Sequence, residues 1–207
     1  MFSCSLISLV VRYIQMRISG GTVKGRRTAT KSLLKKKPTG ERLRPTSSKV
    51  REALFDILRD RIAGASFVDL YAGTGTVGLE ALSRGAGRAI FVEPEELRVK
   101  AMKSSVDDFG FQDRALFIRG RAKEFLERAS AARESFGIIF VDPPYDSEEI
   151  ERVLPVIGEG ELLERDGIVI VEHFFKKKVP GTAGGLKVNR SYRYGDTTLT
   201  FYGKADI

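Results

Sequence analysis

From Thr46 to Tyr202 the apolar positions switch repeatedly between a helical spacing and short continuous or alternating runs. "TSSKVREALFDILRD" sets Val50, Ala53, Leu54, Ile57 and Leu58 on one face behind hydroxyls suited to an N-cap, which predicts an amphipathic helix from about Thr46. The pattern then predicts strands at 67–70, 89–92, 115–118, 137–141 and 168–171. Helices are predicted between them at 77–84, 95–109, 122–132 and 147–157. Two alternating runs, "LKVNRSYRY" and "TTLTFYG", predict a closing antiparallel pair around a Gly-Asp turn. Such strand–helix repetition implies an α/β fold with a mostly parallel sheet covered on both faces. Ligands of these sheets sit beyond the carboxyl ends of the strands. Asp69, Glu93 and Asp142 each follow an apolar strand and are expected on that rim.

The length, 207 residues, suits one such domain with a small appendage. One cysteine, Cys4, and one histidine, His173, nearly exclude disulfide scaffolds, Cys/His zinc sites and Cys-His or Ser-His nucleophiles within a chain. No metal is expected, the compartment expected is the reducing cytoplasm, and His173 reads as a structural or rim residue rather than a catalyst. The first fifteen residues hold a ten-residue apolar run without a basic n-region or a small-residue cleavage site, and the run is too short to span a bilayer. They are expected to be a dispensable extension, with an added strand or a targeting segment as the alternatives.

Charge changes the picture at the N-terminus. The net charge is +8, but residues 17–51 alone hold twelve Lys/Arg and one acid, while residues 52–207 hold 22 basic and 26 acidic side chains. A basic block beside a near-neutral body is the footprint of a polyanion partner, or else a solvated tail. "MRISGGTVKGRR" is punctuated by glycines like a hairpin, and "KSLLKKKPTGERLRPT" reads as a mobile loop. Arg17, Lys24, Arg26, Arg27 and Lys35 to Lys37 would grip phosphates there with little sequence choice.

"FVDLYAGTGTVGLEALSRG" contains Gly73-Thr74-Gly75-Thr76-Val77-Gly78, and Glu93 follows Gly73 by twenty residues, as in a dinucleotide site. A plain tight turn is the structural alternative. Asp69, four residues before Gly73, discriminates. It would repel a pyrophosphate but welcome the sulfonium and ammonium of S-adenosylmethionine. A helix-capping acid is the other reading of Asp69. No Gly-Lys-Ser/Thr follows, which disfavours a nucleoside triphosphate.

The strand "GIIFV" runs into Asp142-Pro143-Pro144-Tyr145. Two prolines fix φ, remove two N–H donors and leave the carbonyl between them free to face a cleft. A carboxylate and a rigid carbonyl can accept the two hydrogens of an exocyclic nucleobase amine, and Tyr145 can stack on the extruded base. A mere strand-stop turn is the alternative.

"DPPY" resembles the D/N-P-P-Y/F motif of amino methyltransferases, and "DLYAGTGTVGLEALSRGA" resembles their donor-binding motif. Together with "MRISGGTVKGRR" and "LRPTSSKVREALF" they resemble the bacterial 16S rRNA guanine-N2 methyltransferase family, which acts on guanine 966, over Met16 to about Tyr202. The resemblance implies a Rossmann-like class I methyltransferase with a seven-stranded sheet and an N-terminal β-hairpin. It divides the chain into an extension at 1–15, a basic hairpin and loop at 16–45, and a catalytic domain at 46–207. It implies that Asp69, Tyr71, Ala72, Gly73, Thr74 and Gly75 line the donor, that Glu93 takes its ribose hydroxyls, and that Asp142 to Tyr145 hold the target amine. Arg44 and Thr46 would position substrate or donor at the mouth of the cleft. Arg121 stands where the family commonly has Asn or Asp against the adenine amine; arginine has no acceptor, so backbone near Arg121 and Ala122 is expected to serve. The partner implied is 16S rRNA or a 30S assembly intermediate, and a monomer without membrane association is expected. An adenine-N6 DNA methyltransferase and a non-catalytic RNA-binding module are the competing readings.

Overall fold

The computed structural model describes residues 16–28, 47–144 and 147–205. Ser47 opens the body: its hydroxyl accepts from the Val50 amide at 3.2 Å and starts α1 (Ser48–Ile57). There follow β1 (Ser66–Asp69), α2 (Thr76–Ser83), β2 (Arg88–Val92), α3 (Glu96–Phe109), β3 (Ala115–Ile118), α4 (Ala122–Ala131), β4 (Phe136–Val141) and α5 (Glu149–Glu159). The chain closes with β5 (Leu163–Phe174), β6 (Thr182–Ala183), β7 (Leu186–Tyr194) and β8 (Thr197–Lys204).

These strands form one sheet in the order β3-β2-β1-β4-β5-β8-β7-β6. The first five are parallel and the last three antiparallel. The direction of travel reverses between β1 and β4, which makes their carboxyl ends the topological switch point. The described residues thus show the seven expected strands and one more, the two-residue β6 paired with the start of β7. Two other elements depart from expectation. β5 begins five residues before its apolar run, because Leu163 already pairs with Phe136 at the start of β4 and Glu164, Arg165 and Asp166 bulge out before pairing resumes between Ile168 and Ile138. α5 begins two residues late, because the Ser147 amide and hydroxyl both bond the Pro144 carbonyl, at 3.1 and 2.6 Å, in a turn of their own.

The sheet is buried on both faces. One carries Phe67, Ile138, Phe140, Ile170 and Phe201 against α1; the other carries Val68, Ile139, Val141 and Tyr202 against α4 and α5. Phe91 and Leu79 head a third cluster that reaches Ile18 and Val23 of the N-terminal segment. α2 lies so close to β2 that a Cβ on Gly78 would stand 2.3 Å from the Phe91 ring, so only glycine fits.

The N-terminal segment 16–28 is shorter in its pairing than the hairpin expected. Its two arms meet in a single antiparallel bridge, Arg17 with Arg27. Side-chain anchors hold it instead. The buried Glu80 carboxylate accepts from the Ser19 amide at 2.7 Å, the Ser19 hydroxyl at 2.8 Å and Arg84 Nε at 2.8 Å. Arg51 Nε approaches the same carboxylate at 3.5 Å and its Nη2 donates to the Arg17 carbonyl at 2.6 Å. Burial lowers the Arg51 pKa, with Glu80 opposing that shift. At the turn, Gly21 has φ +77° and a Cβ there would lie 1.9 Å from the Ser83 carbonyl, so conformation and space both demand glycine.

Candidate active site

The switch point gathers the expected acids. Asp69 pairs with Phe140 of β4 and Phe91 of β2, so the residues just beyond those strands, Asp142 and Glu93, flank the same crevice. Asp69 is buried and its Oδ2 accepts from the Gly78 amide at 3.2 Å, so it braces the first turn of α2 from below. Burial raises its pKa to about 7; the backbone amides of Gly78 and Tyr71 oppose the shift, while the nearby Asp142 and Glu93 add to it. The helix-capping reading of Asp69 is therefore realised in the fold, in a position that also borders the crevice.

Glu93 is also buried. Its Oε2 accepts from the Gly73 amide at 2.9 Å, and its Oε1 from the Glu95 amide at 2.9 Å and from Arg98 Nη1 at 3.4 Å. Burial raises its pKa, with those donors opposing. Each oxygen has two lone pairs; both on Oε1 are taken, and Oε2 keeps one for a ligand hydroxyl. The loop between is tight: the Gly75 amide bonds the Ala72 carbonyl at 2.6 Å, and the Ala72 amide bonds the Val92 carbonyl at 3.0 Å. Thr74 and Thr76 hydroxyls stand 3.0 Å apart, each 3.3 Å from the Met16 thioether.

Two contacts brace the segment that follows the Asp142-Pro143-Pro144 turn, one from beside the glycine loop and one from beyond β5. Tyr71, just past β1, donates its hydroxyl to Glu149 of α5 at 3.0 Å, and burial with the Glu149 charge pushes the phenol pKa up. Lys177, past β5, donates to the Ser147 carbonyl and lies 3.4 Å from Glu151. Pro144's carbonyl is committed to Ser147, so the acceptor between the prolines is the carbonyl of Pro143. Tyr145, Arg44, Thr46 and the loop of Lys35 to Lys37 lie outside the described residues.

Across the rim, Arg121 and Ala122 open α4 beside Glu93, whose amide bonds the Ile118 carbonyl at the end of β3. The Arg121 side chain is exposed and Ala122 is buried in the core. His173 is buried: its Nε2 meets the Thr200 hydroxyl at 2.9 Å and its Nδ1 the Phe174 carbonyl at 3.0 Å. Burial lowers its pKa. This is a structural residue linking β5 to β8. Among the described residues no group of three His, Cys, Asp or Glu is arranged to hold a metal.

The N-terminal cations divide into two groups. Met16 touches the rim loop, whereas Ser19 meets the middle of α2 and the Thr22 amide bonds the Ser83 carbonyl at its far end. The turn of the segment therefore points away from the rim. Arg17 and Arg27, exposed at the bridge, stand nearer the crevice. Lys24 lies on the distal turn, and Arg26 is spent on α3, where it donates to the Asp108 carbonyl at 2.5 Å and covers the Phe109 ring at 4.7 Å.

Sequence reading missed Arg51, Glu80, Ser83 and Met16 as organisers. The available signal was Glu80 itself, an acid inside "TVGLEALS", every residue of which is buried.

A parallel five-strand core, a switch-point glycine loop with acids at its rim and an antiparallel C-terminal unit define a class I methyltransferase. The chain belongs to the family described as conserved hypothetical protein 95, which matches residues 16–203. It is 35% identical over 189 residues, 91% of this chain and 99% of the relative, to the Bacillus subtilis protein named "Putative rRNA methyltransferase YlbH". It is 28% identical over 188 residues, 91% of this chain and 89% of the relative, to ribosomal RNA small subunit methyltransferase D of Escherichia coli. Among solved structures, "Putative methyltransferase yhhF from Escherichia coli" superposes with a TM-score of 0.75 at 28% identity, covering 92% of this chain and 98% of the other.

Class I methyltransferases take their methyl group from S-adenosylmethionine, and the rim fits that donor. Loop residues 69–76 contain no Lys or Arg, and Asp69, Asp142 and Glu93 surround them. That set of groups favours cations and hydroxyls and opposes phosphates.

Proposed function

We propose that this chain methylates the exocyclic N2 amine of guanine 966 in 16S rRNA, in the cytoplasm, acting as a monomer on naked rRNA or an assembling 30S particle. The observation that carries the reading is the adjacency of Asp142, at the end of β4, to Asp69 and the glycine loop across the switch point. The relatives named for rRNA and small-subunit methylation support RNA as the substrate class.

When bound, S-adenosylmethionine supplies a methyl carbon on a sulfonium, a leaving group that departs as a neutral thioether. The chain's task is to hold a weak nucleophile in line with that carbon. A guanine N2 lone pair is delocalised into the ring. Asp142 and the Pro143 carbonyl accept its two hydrogens, which favours the pyramidal nitrogen needed for attack. As the N–C bond forms and the C–S bond breaks, the nitrogen becomes acidic and yields one proton to Asp142 or to water. Alignment supplies most of the acceleration, and no strong general base is required. Pro144 and the Ser147 turn set the position of Pro143; Tyr145 stacks on the flipped base.

On the donor side, Asp69, Tyr71, Ala72, Gly73, Thr74 and Gly75 border the methionine and ribose region, Glu93 takes the ribose hydroxyls, and backbone at Arg121 and Ala122 meets the adenine. Arg17 and Arg27, with Arg44 and Thr46, contact RNA near the crevice; Lys24 and Arg26 contribute at the distal turn. The segment 16–45 thereby serves as the RNA-contacting appendage of a catalytic domain at 46–207, outside which residues 1–15 play no part.

Incubation with labelled donor and, in parallel, naked 16S rRNA, assembling 30S particles or duplex DNA tests the proposal. The expected product is N2-methylguanosine at one site of the rRNA, identified by nuclease digestion and mass spectrometry. Label appearing in DNA alone, or in N6-methyladenosine, overturns it.

A further inference from the structure

The near-neutral total over residues 52–207 conceals a second basic segment: residues 175–194 hold six Lys/Arg and no acid. They connect β5 to β7 and form the whole of β7, at the antiparallel edge of the sheet. Lys176, Lys178, Arg190, Tyr192 and Arg193 are exposed.

Three of these cations, Lys176, Arg190 and Arg193, lie over rings. The Arg193 guanidinium lies 3.7 Å from the Phe175 ring centre and its Nε donates to the Gly195 carbonyl at 2.8 Å, which fixes the guanidinium plane. Lys176 stands 5.6 Å from the same ring. Around the edge strand, Arg190 lies 5.9 Å from Tyr192 and 5.3 Å from Phe201. Tyr192 is 38% exposed, one of three large apolar side chains so open among the described residues.

This patch sits at the catalytic end of the sheet. Val171 pairs with Val141, so Asp142 is level with the residue after Val171, and Phe175 stands three residues beyond, roughly 10 Å at strand rise. The Phe175 amide bonds the Asp196 carbonyl at 2.9 Å, holding it at the rim. Lys177 alone of its basic run turns inward, to Ser147 and Glu151, and couples the patch to the turn that follows Asp142.

We propose that Phe175, Lys176, Lys178, Arg190, Tyr192 and Arg193 form a second nucleic-acid surface, which takes the single-stranded RNA flanking the target nucleotide. Flat guanidinium and aromatic faces accept bases by stacking without regard to sequence, and the cations neutralise the phosphates between them. An acidic protein would use the charges but not the rings. The inference rests on RNA being the substrate.

The test compares the wild-type chain with Lys176→Gln/Lys178→Gln/Arg193→Gln, with Tyr192→Ser, and with Lys187→Gln at the other end of β7 as control. Anisotropy of a fluorescein-labelled single-stranded RNA is read over a salt series, with melting temperature reporting the fold and methyl transfer split into KM and kcat. The triple variant is expected to bind about tenfold or more weakly near 0.1 M salt, with the salt slope reduced by about 2. Tyr192→Ser weakens binding at an unchanged slope, Lys187→Gln matches wild type, and the loss of transfer falls on KM. A triple variant that melts like wild type and binds with the same affinity and slope overturns the surface, and leaves the edge to an acidic protein partner. If the slope falls in the triple variant but neither protein methylates any RNA, the surface stands and the proposed function fails. Wild-type transfer to 16S rRNA that the triple variant equals leaves the function standing and removes the surface. A wild-type chain that binds no RNA overturns both.

Discussion

The Tyr71 hydroxyl donates to the Glu149 carboxylate at 3.0 Å, joining the strand that carries the glycine loop to the helix that follows the proline turn. One hydrogen bond thus fixes the spacing between donor side and acceptor side. Tyr71→Phe removes a bond worth about 0.5–1.5 kcal/mol. Single-turnover transfer should slow roughly two- to tenfold, with donor affinity by calorimetry retained. Equal loss of binding and transfer would show that the hydroxyl, and not only the ring of Tyr71, serves the donor pocket.

Asp142→Ala should abolish methyl transfer while donor binding survives, because the proposed partner of Asp142 is the amine and not the donor. Rapid-quench measurement at saturating donor, paired with calorimetry, checks this. Parallel loss of both would make Asp142 a structural residue.

Asp69 gives the crevice a pH dependence. Its folded pKa is raised to about 7, above the unfolded value of 3.8, chiefly by burial. The native state therefore binds more protons than the unfolded chain between those values, and the stability Asp69 contributes is lost as pH rises through that window. Asp69→Asn should flatten this slope in chemical denaturation. A cationic donor favours the ionised form, so its binding should release a proton below pH 7. Calorimetry in buffers of different ionisation enthalpy would detect that release in the wild type, and the variant should lack it.

Glu80→Gln leaves the Arg51 guanidinium buried without its counter-charge. Removing one partner of a buried pair costs about 3–5 kcal/mol. A fall in melting temperature of roughly 10 °C is expected at this chain length. Ser19 loses its anchor in the same change, so protease cleavage within residues 16–28 should accelerate. Cleavage at the wild-type rate would show that other contacts hold the segment.

Arg26 and Arg27 are neighbours with different work. Arg27→Gln should lower the salt slope of RNA binding by about 1 and leave melting unchanged. Arg26→Gln removes the cover of Phe109 and the bond to Asp108, so it should lower melting and alter the slope less. An equal effect on the slope from both would give Arg26 as large a share of the RNA interface as Arg27.

Local periodicity located β1, β2 and β4 to within a residue and β3 to the residue, because their apolar runs are short, continuous and bounded by turn residues. The rim acids were legible for the same reason, since each ends such a run. Less legible were relations between distant elements. Nothing local tells that Arg51 and Glu80 meet, or that Ser19 lies against α2 with its turn directed away from the crevice. The first half of β5 escaped because Glu164, Arg165 and Asp166 are polar and exposed, bulging out between the pairs Leu163–Phe136 and Ile168–Ile138. The basic edge at 175–194 was hidden by averaging charge over the whole body, where residues 142–166, with nine acids and two bases, cancel it.

β8, last in chain order, is an interior strand, flanked by β5 and β7. During synthesis the seam of the sheet stays open until residues 197–204 have left the ribosome. Until then the row from Val169 to Phe174 is an uncovered, largely apolar edge, the kind that templates aggregation. An enzyme proposed to service nascent ribosomes is thus itself completed only once Thr197–Lys204 has emerged, and a chain stopped before Thr197 would be a hazard rather than a weakened catalyst.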